Sequence, residues 1–246
     1  MMLNLAQWLQ GCPQNCFVYE MIEPLENDSV KEVVCDFCGS NDATVLFTGT
    51  DMLFPYYTEV HAVQQCNNCG LWYLNPRPDT DAEFLRMYPP EYDSYVDVGR
   101  GWFLRLRKWV WQPELRRHIQ LAGLDGRILE IGSATGEYLN ELRSRGCQSV
   151  TGVEFNPEAA RLANERYGLD IIQGDVFDGR FPDAQFDLAI MRYVLEHVPN
   201  PTDTLREVAR VLKPGGWFIF SIPNPDSLDA KEYGKNWFGH EIPRHL

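Results

Sequence analysis

The sequence predicts an α/β chain built on a doubly wound, mostly parallel sheet and preceded by a small metal-binding unit. From residue 125 onward, apolar stretches typical of strands alternate with segments typical of helices. A turn rich in small residues follows the first of these strands, and an acidic residue ends the second. Two C-x-x-C pairs come earlier, in the first third of the chain.

The turn after the first strand is the most informative segment. The predicted strand ends at Ile131, and small residues then occupy alternate positions, namely Gly132, Ala134 and Gly136. Small residues let the backbone approach a ligand, and the helix predicted from Glu137 presents free amide groups at the same place. This segment therefore predicts a nucleotide-binding turn.

The same turn separates two classes of nucleotide cofactor. A dinucleotide turn, G-x-G-x-x-G, needs glycine at two positions that hold Ala134 and Glu137. From Glu130 the chain instead reads E-x-G-x-A-x-G, which resembles motif I of the class I S-adenosylmethionine-dependent methyltransferases, E/D-x-G-x-G-x-G. Ala134 departs from that motif, and its methyl group is expected to be tolerated if φ there stays negative.

Further segments follow in the order of that family. A second predicted strand ends in Glu154, 22 positions after Gly132, and a third ends in Asp175. A fourth strand is predicted over residues 186–191 and a fifth over residues 216–222. Two connecting segments also resemble the family, residues 194–201 (V-L-E-H-V-P-N-P) and residues 212–216 (L-K-P-G-G).

The resemblance implies a Rossmann-like fold and S-adenosylmethionine as the methyl donor. Glu130 and Gly132 would hold the methionine end of the cofactor, and Glu154 would accept hydrogen bonds from the ribose hydroxyls. Asp175 would accept from the adenine amino group, although Glu154 and Asp175 could alternatively be helix caps only. The complete implied set is Glu130, Gly132, Ala134, Gly136, Glu154, Phe155, Asp175 and Val176.

The N-terminal cysteines form two C-x-x-C-G knuckles, Cys35 with Cys38 and Cys66 with Cys69. Each knuckle can direct two thiolates at one metal ion, and four thiolates make a closed tetrahedral zinc site with a structural role. The alternatives are two disulfides or unliganded thiols, which the reducing cytosol disfavours. Residues 35–95 also resemble the zinc-binding segment of bacterial methyltransferases of sugar and polysaccharide biosynthesis, including nucleotide-sugar C-methyltransferases. Some ribosomal RNA methyltransferases carry a similar ribbon.

A basic and aromatic segment links the two units. Between residues 100 and 118 it carries six Lys and Arg residues against the single acidic residue Glu114. It reads either as a helix packed on the catalytic domain, as a lid over an anionic substrate, or as an attachment to an anionic membrane surface. Pro113 is expected to break it into two helices.

Histidines near the predicted sheet edge are the candidates for a general base. His245 and His240 both lie after the fifth strand, in a loop that resembles a His-containing loop of the sugar methyltransferases. We rank His245 first and His240 second. His197 ranks third, since in the family's Glu-His-Val-Pro pattern it more often packs near a helix start.

The chain thus divides into a loosely held leader (1–30), a zinc ribbon with its connection (31–99), a helical linker (100–124) and a cofactor-binding domain (125–246). That last domain is expected to hold a parallel sheet in the order 3-2-1-4-5 and to lack the family's C-terminal strands. We find no signal peptide and no membrane span, which favours a cytoplasmic protein.

These observations favour methyl transfer to a small acceptor, with an anionic sugar nucleotide as the candidate. The net charge of −13 disfavours nucleic acid as a partner. Two alternatives stay open, a non-catalytic protein that binds a partner through its zinc ribbon and an RNA methyltransferase. The oligomeric state is not indicated.

Overall fold

The fold is taken from a computed structural model that describes residues 30–54, 59–78, 85–88, 106–107 and 109–246. The predicted leader lies outside the described residues except for Val30. The linker residues Arg100, Arg105 and Lys108 also lie outside them. Among the described residues, no helix has the length and apolar character needed to cross a membrane.

The N-terminal unit consists of short antiparallel sheets. Its strands are β1 (Val30–Lys31), β2 (Ala43–Gly49), β3 (His61–Cys66), β4 (Trp72–Leu74) and β5 (Arg77–Pro78). Strands β2, β3 and β4 form one sheet in that order, and β1 pairs with β5. Cys35, Cys66 and Tyr73 are buried together at its centre, so the cysteines take part in the core of this unit.

The C-terminal unit alternates helices and strands. In chain order it contains α1 (Gln112–Ala122), β6 (Arg127–Ile131), α2 (Glu137–Ser144), β7 (Ser149–Glu154), α3 (Pro157–Tyr167), β8 (Asp170–Gln173), β9 (Phe186–Arg192), α4 (Pro201–Val211), β10 (Leu212–Ser221) and α5 (Leu228–Tyr233). The five strands β10-β9-β6-β7-β8 pair in parallel. This confirms the predicted order 3-2-1-4-5.

The central strands β6 and β9 are buried on both faces, as expected for a doubly wound fold, whereas the edge strand β10 exposes Trp217 and Phe220. Ile128 packs into one core cluster, whereas Leu129 and Ile131 pack into the other, because successive strand residues point to opposite faces. In the same way, Ile190 of β9 joins the first cluster and Met191 the second. Because all five strands pair in parallel, their carboxyl ends meet at the same edge of the sheet.

Local signals in the sequence account for α3. The side chain of Asn156 accepts hydrogen bonds from the backbone N–H groups of Glu158 and Ala159, and Pro157 occupies the first turn. Gly168 ends the helix in a left-handed conformation. The helix start proposed from the sequence is therefore confirmed.

The last strand begins earlier than the sequence indicates. β10 starts at Leu212 instead of residue 216, and its pairing with β9 changes register between Leu212 and Trp217. Gly215, with φ of +81°, lies in the irregular part. The Lys-Pro-Gly-Gly turn signal thus marks an irregularity within the strand.

The final loop, residues 234–246, packs the C-terminal unit against the ribbon. Arg244 is completely buried, and its guanidinium donates to both carboxylate oxygens of Asp51, at 2.6 and 2.8 Å. Ile242 packs with Val63 and Leu74 of the ribbon. The two units therefore share buried contacts, and these contacts position the loop that carries two of the candidate histidines.

Candidate active site and cysteine cluster

The turn after β6 brings the backbone close to its neighbours at two glycines. Gly132 and Gly136 have φ of +72° and +76°, which glycine adopts readily. A Cβ atom on Gly132 would lie 2.2 Å from Cγ2 of Val194, and one on Gly136 would lie 2.8 Å from Cβ of Ala163. No larger residue fits either position unless its surroundings move.

Ala134 lies between these glycines and also has a positive φ, +46°. The expectation that φ stays negative at this residue is wrong. Positive φ thus recurs at alternate residues of the turn, at Gly132, Ala134 and Gly136. The N–H of Ala134 donates to Oε2 of Glu154 at 2.7 Å. A left-handed conformation costs an L-residue about 1–2 kcal/mol, so Ala134 is held there by the surrounding structure.

Replacing Ala134 by glycine is expected to stabilise the protein. Relief of the left-handed strain outweighs the extra freedom of glycine in the unfolded chain, for a net gain of about 0.5–1 kcal/mol. Urea denaturation followed by circular dichroism measures the free energy of unfolding. The same change at Ala209, exposed in the interior of α4, should instead lose about 1 kcal/mol. A loss at position 134 would contradict the strain argument.

Glu154 lies at the carboxyl end of β7 and is only 5% exposed. Its Oε2 accepts from Ala134, and its Oε1 accepts from the backbone N–H of Asn156 at 2.8 Å. Burial raises the pKa of this carboxyl to about 7, against the effect of those hydrogen bonds. Each carboxylate oxygen can accept a second hydrogen bond, so Glu154 can hold the turn and still bind a hydroxyl pair.

Glu130 lies in the adjacent strand β6 and is 1% exposed. Its Oε1 accepts from Arg192 Nη2 at 2.8 Å, whereas its buried Oε2 accepts no hydrogen bond from the described residues. Burial raises the pKa of Glu130, and Arg192 opposes that shift. A buried carboxylate oxygen without a partner is costly, and an ammonium group fits the remaining acceptor position.

Two aromatic rings pack against the ion pair between Glu130 and Arg192, and the sequence analysis did not predict this contact. The guanidinium of Arg192 lies 3.5 Å from the ring centroid of Tyr138 and 5.2 Å from that of Trp111. The Tyr138 hydroxyl is in turn 2.8 Å from Nδ1 of His118. Helix α1 thus supports the Glu130–Arg192 ion pair indirectly, through the buried His118 and its contact with Tyr138.

The described part of the linker packs on the sheet. Leu115 and His118 of α1 are buried, while Arg116 and Arg117 are exposed. Pro113 lies in the first turn of this helix, where proline removes no helical hydrogen bond. Contact with a membrane or with a substrate stays a prediction.

Asp175 lies two residues beyond β8 and is exposed. Its Oδ1 accepts from the backbone N–H groups of Phe177 and Asp178, at 2.8 and 3.2 Å. The carboxylate therefore orders a local turn. Residues 176–179 form turns and not a helix, so Asp175 does not cap a helix in this structure. The neighbouring Val176 is buried. The adenine-binding roles of Phe155, Asp175 and Val176 stay predictions.

The structure brings two of the three candidate histidines together. The ring centroids of His197 and His245 are 4.7 Å apart, whereas His240 packs against Phe47 and Trp72 of the ribbon. Burial lowers the pKa of His245 to about 3 and that of His197 to about 4. Both imidazoles are thus neutral at physiological pH, and the assignment of a general base stays a prediction.

The four cysteines of the two knuckles converge on one point. Sγ of Cys35 lies 3.5 Å from Sγ of Cys69, the same distance separates Cys38 from Cys66, and all four sulfurs lie within 4.8 Å of one another. These separations exceed the disulfide bond length of about 2 Å and suit four metal–sulfur bonds of about 2.3 Å. The N–H of Gly39 donates to the Cys35 carbonyl at 2.8 Å. In the second knuckle Gly70 repeats this bond at 2.9 Å.

A cleft of about 240 Å³ lies between the ribbon and the final loop. Thr48, Thr50 and Met52 line it on the ribbon side, and Lys235 and Trp237 line it on the loop side. No local sequence pattern indicates this cleft, because its walls come from segments almost 200 residues apart.

Comparison with known proteins places the chain in a family. Residues 103–246, more than half of the chain, match the family model described as a methyltransferase domain. The demethylmenaquinone methyltransferase of Deinococcus radiodurans is 30% identical over 174 residues, covering 66% of this chain and 68% of that protein. The 27-O-demethylrifamycin SV methyltransferase of Amycolatopsis mediterranei is 29% identical, covering 58% of this chain and 64% of that protein.

Two other matches extend the comparison. An uncharacterized protein of Methanocaldococcus jannaschii is 33% identical over 145 residues, covering 58% of this chain and 65% of that protein. A solved protein structure from Pyrococcus horikoshii has a TM-score of 0.45 and 27% identity, covering 61% of this chain and 68% of that one. The chain thus spans 64% to 68% of the length of these curated relatives. Given the family match over residues 103–246, the chain belongs to the methyltransferase-domain family.

Proposed function

We propose that this chain transfers the methyl group of S-adenosylmethionine to a small acceptor, and that the acceptor is an anionic, nucleotide-linked sugar or polysaccharide precursor. One observation carries the cofactor assignment. Two buried carboxylates lie near the carboxyl ends of adjacent parallel strands, Glu130 one residue before the end of β6 and Glu154 at the end of β7. One oxygen of Glu130 has no hydrogen-bond partner among the described residues. Ligands of such sheets bind at the carboxyl ends of the strands.

The two carboxylates suit the two ends of the cofactor's methionyl-ribose part. Glu154 is suited to accept hydrogen bonds from the ribose hydroxyls, and Glu130 to accept from the ammonium group. The sulfonium methyl of the cofactor is already activated, so the protein mainly has to align an acceptor behind it and exclude water.

Two observations support a small acceptor. The names of two relatives refer to demethylmenaquinone and to a demethylrifamycin, both small molecules. The net charge of −13 disfavours RNA.

We also propose that Cys35, Cys38, Cys66 and Cys69 hold one structural zinc ion. Four thiolates fill a tetrahedral site and leave no position open for a substrate. The cysteines lie in the core of the ribbon, so the metal would stabilise the fold of that unit.

Transfer of isotopically labelled methyl groups tests the acceptor class. The full chain is incubated with labelled S-adenosylmethionine and separate panels of nucleotide-diphosphate sugars, quinone precursors and ribosomal RNA. We expect label in the sugar fraction only. Label in RNA would establish the RNA alternative, and label in the quinone fraction would replace the sugar acceptor. A chain that binds a partner but no cofactor would support the non-catalytic alternative.

Cofactor affinity is expected to increase as the pH rises through 7. Burial raises the pKa of Glu154 to about 7, and only its ionised form offers both oxygens as acceptors to the ribose. Below that pKa the dissociation constant should increase about tenfold per pH unit. Calorimetry between pH 5.5 and 8.5 measures the profile. Glu154→Gln should bind weakly with a flat profile, and a flat wild-type profile would contradict the role of this residue.

A further inference from the structure

A second group of metal-ligating side chains lies outside the cysteine cluster. Glu196, His197 and His245 each offer one ligand atom, and these atoms all lie within 4.8 Å of one another. Glu241 adds a second carboxylate nearby, since its Oε2 lies 3.8 Å from Nε2 of His245. One ion with bonds of about 2.1 Å can contact all three ligands after a small closure of the group.

Backbone carbonyls orient both imidazoles of this group. Nδ1 of His245 lies 2.9 Å from the carbonyl oxygen of Gly239, and Nδ1 of His197 lies 3.0 Å from that of Arg244. A carbonyl oxygen only accepts, so Nδ1 of the neutral His245 ring carries the proton and its Nε2 keeps the lone pair. The Tyr88 hydroxyl also lies 2.8 Å from Nδ1 of His197. A hydroxyl can accept as well as donate, so a protonated Nδ1 of His197 satisfies both partners and leaves its Nε2 with the lone pair. Histidines that bind metals are fixed in this way by a hydrogen bond from the other ring nitrogen.

Glu196 supplies the carboxyl group of this set. Both of its carboxylate oxygens are buried, and neither accepts a hydrogen bond from the residues that the structure describes. A buried carboxylate with no partner costs several kcal/mol, and a cation removes that cost. Glu196 is therefore the member of the group for which a purely structural role is hardest to justify.

The chain holds this group at the carboxyl edge of the sheet. Glu196 and His197 lie in a short 3-10 helix, residues 195–197, three residues after the end of β9. The backbone carbonyl of Glu196 accepts from the N–H of Leu246 at 2.8 Å, so the final loop brings His245 alongside. Val194, directly before this helix, packs against Gly132 of the turn.

We infer that Glu196, His197 and His245 bind one divalent transition-metal ion. Two imidazoles and one carboxylate favour zinc or iron(II) over magnesium or calcium. Three protein ligands leave at least one coordination position open, unlike the four cysteines, and such sites bind a substrate oxygen or water. The ion lies on the side of the sheet where cofactor and acceptor meet.

Metal content of the purified full chain tests this inference. After equilibration with excess zinc and gel filtration, the wild type is expected to retain two equivalents per chain. Glu196→Gln and His245→Ala should each retain one. The matched control is His240→Ala, which removes a histidine of the same loop outside the group and should retain two.

One equivalent in the wild type would overturn the inference, as would two equivalents in both variants. Glu196→Gln is nearly isosteric, so it decides the question even if His245→Ala fails to fold. Binding of S-adenosylmethionine is measured on the same samples. Loss of the second equivalent with cofactor binding intact separates failure of this site from failure of the proposed activity.

Discussion

Replacing Glu154 by alanine is expected to weaken the binding of S-adenosylmethionine at least about 100-fold. A hydrogen bond to a charged group contributes about 1.5–3 kcal/mol, and two ribose hydroxyls lose their acceptor together. The change also removes the acceptor for the N–H groups of Ala134 and Asn156, so the turn loses its support. Isothermal titration calorimetry measures the dissociation constant.

The control for this experiment is Glu158→Ala. Glu158 lies four residues further on, in the first turn of α3, and its ion pair with Arg161 is exposed. Exposed pairs contribute little, so cofactor binding and stability should stay close to wild type. Unchanged affinity in Glu154→Ala, with a native circular dichroism spectrum, would remove Glu154 from the cofactor site.

Replacing Arg244 by alanine is expected to lower the free energy of unfolding by about 3–5 kcal/mol, the largest effect on stability that we predict. The guanidinium is completely buried, and it donates to Asp51 and to Glu241, whose side chains are 1% and 8% exposed. The variant leaves both carboxylates buried without their cation. Urea denaturation followed by tryptophan fluorescence measures the loss.

Two further variants make this test specific. Arg206→Ala removes an arginine whose pair with Asp203 is exposed, and it should change stability by less than about 1 kcal/mol. Asp51→Asn in the Arg244→Ala background removes one orphaned charge and should recover part of the loss. A loss below about 1 kcal/mol in Arg244→Ala alone would show that water reaches the junction.

The sheet and its turn were predictable because their signals are local. Alternating apolar residues, a turn of small residues and an N-cap followed by proline each act over a few positions, and the right-handed, short connections of parallel sheets restrict the order. Local signals did not predict the positive φ of Ala134, because its N–H is held by a hydrogen bond to Glu154 in another strand. The start of β10 was predicted four residues late, because the Lys-Pro-Gly-Gly sequence that suggested a turn lies within the strand.

Long-range pairing could not be predicted in this way. Asp51 and Arg244 are 193 positions apart, and no pattern in the sequence distinguishes that pair from other opposite charges. His197 and His245 were each candidates on their own, but only the fold places their rings side by side. The partner of Glu130 was missed for the same reason, although Arg192 ends the neighbouring strand.

The buried junction between ribbon and final loop has a consequence for how this protein can be divided. A fragment that begins at the linker would keep Arg244 and Ile242 but lose Asp51, Val63 and Leu74. Such a fragment would contain every residue assigned to the cofactor and would keep the contacts of the final loop with Glu196 and His197. The same loop would lose its buried contacts with the ribbon. The ribbon therefore supplies buried contacts that hold the final loop in place. If removal of the ribbon abolished activity, the cause would be the lost support of the final loop and not the loss of a catalytic residue.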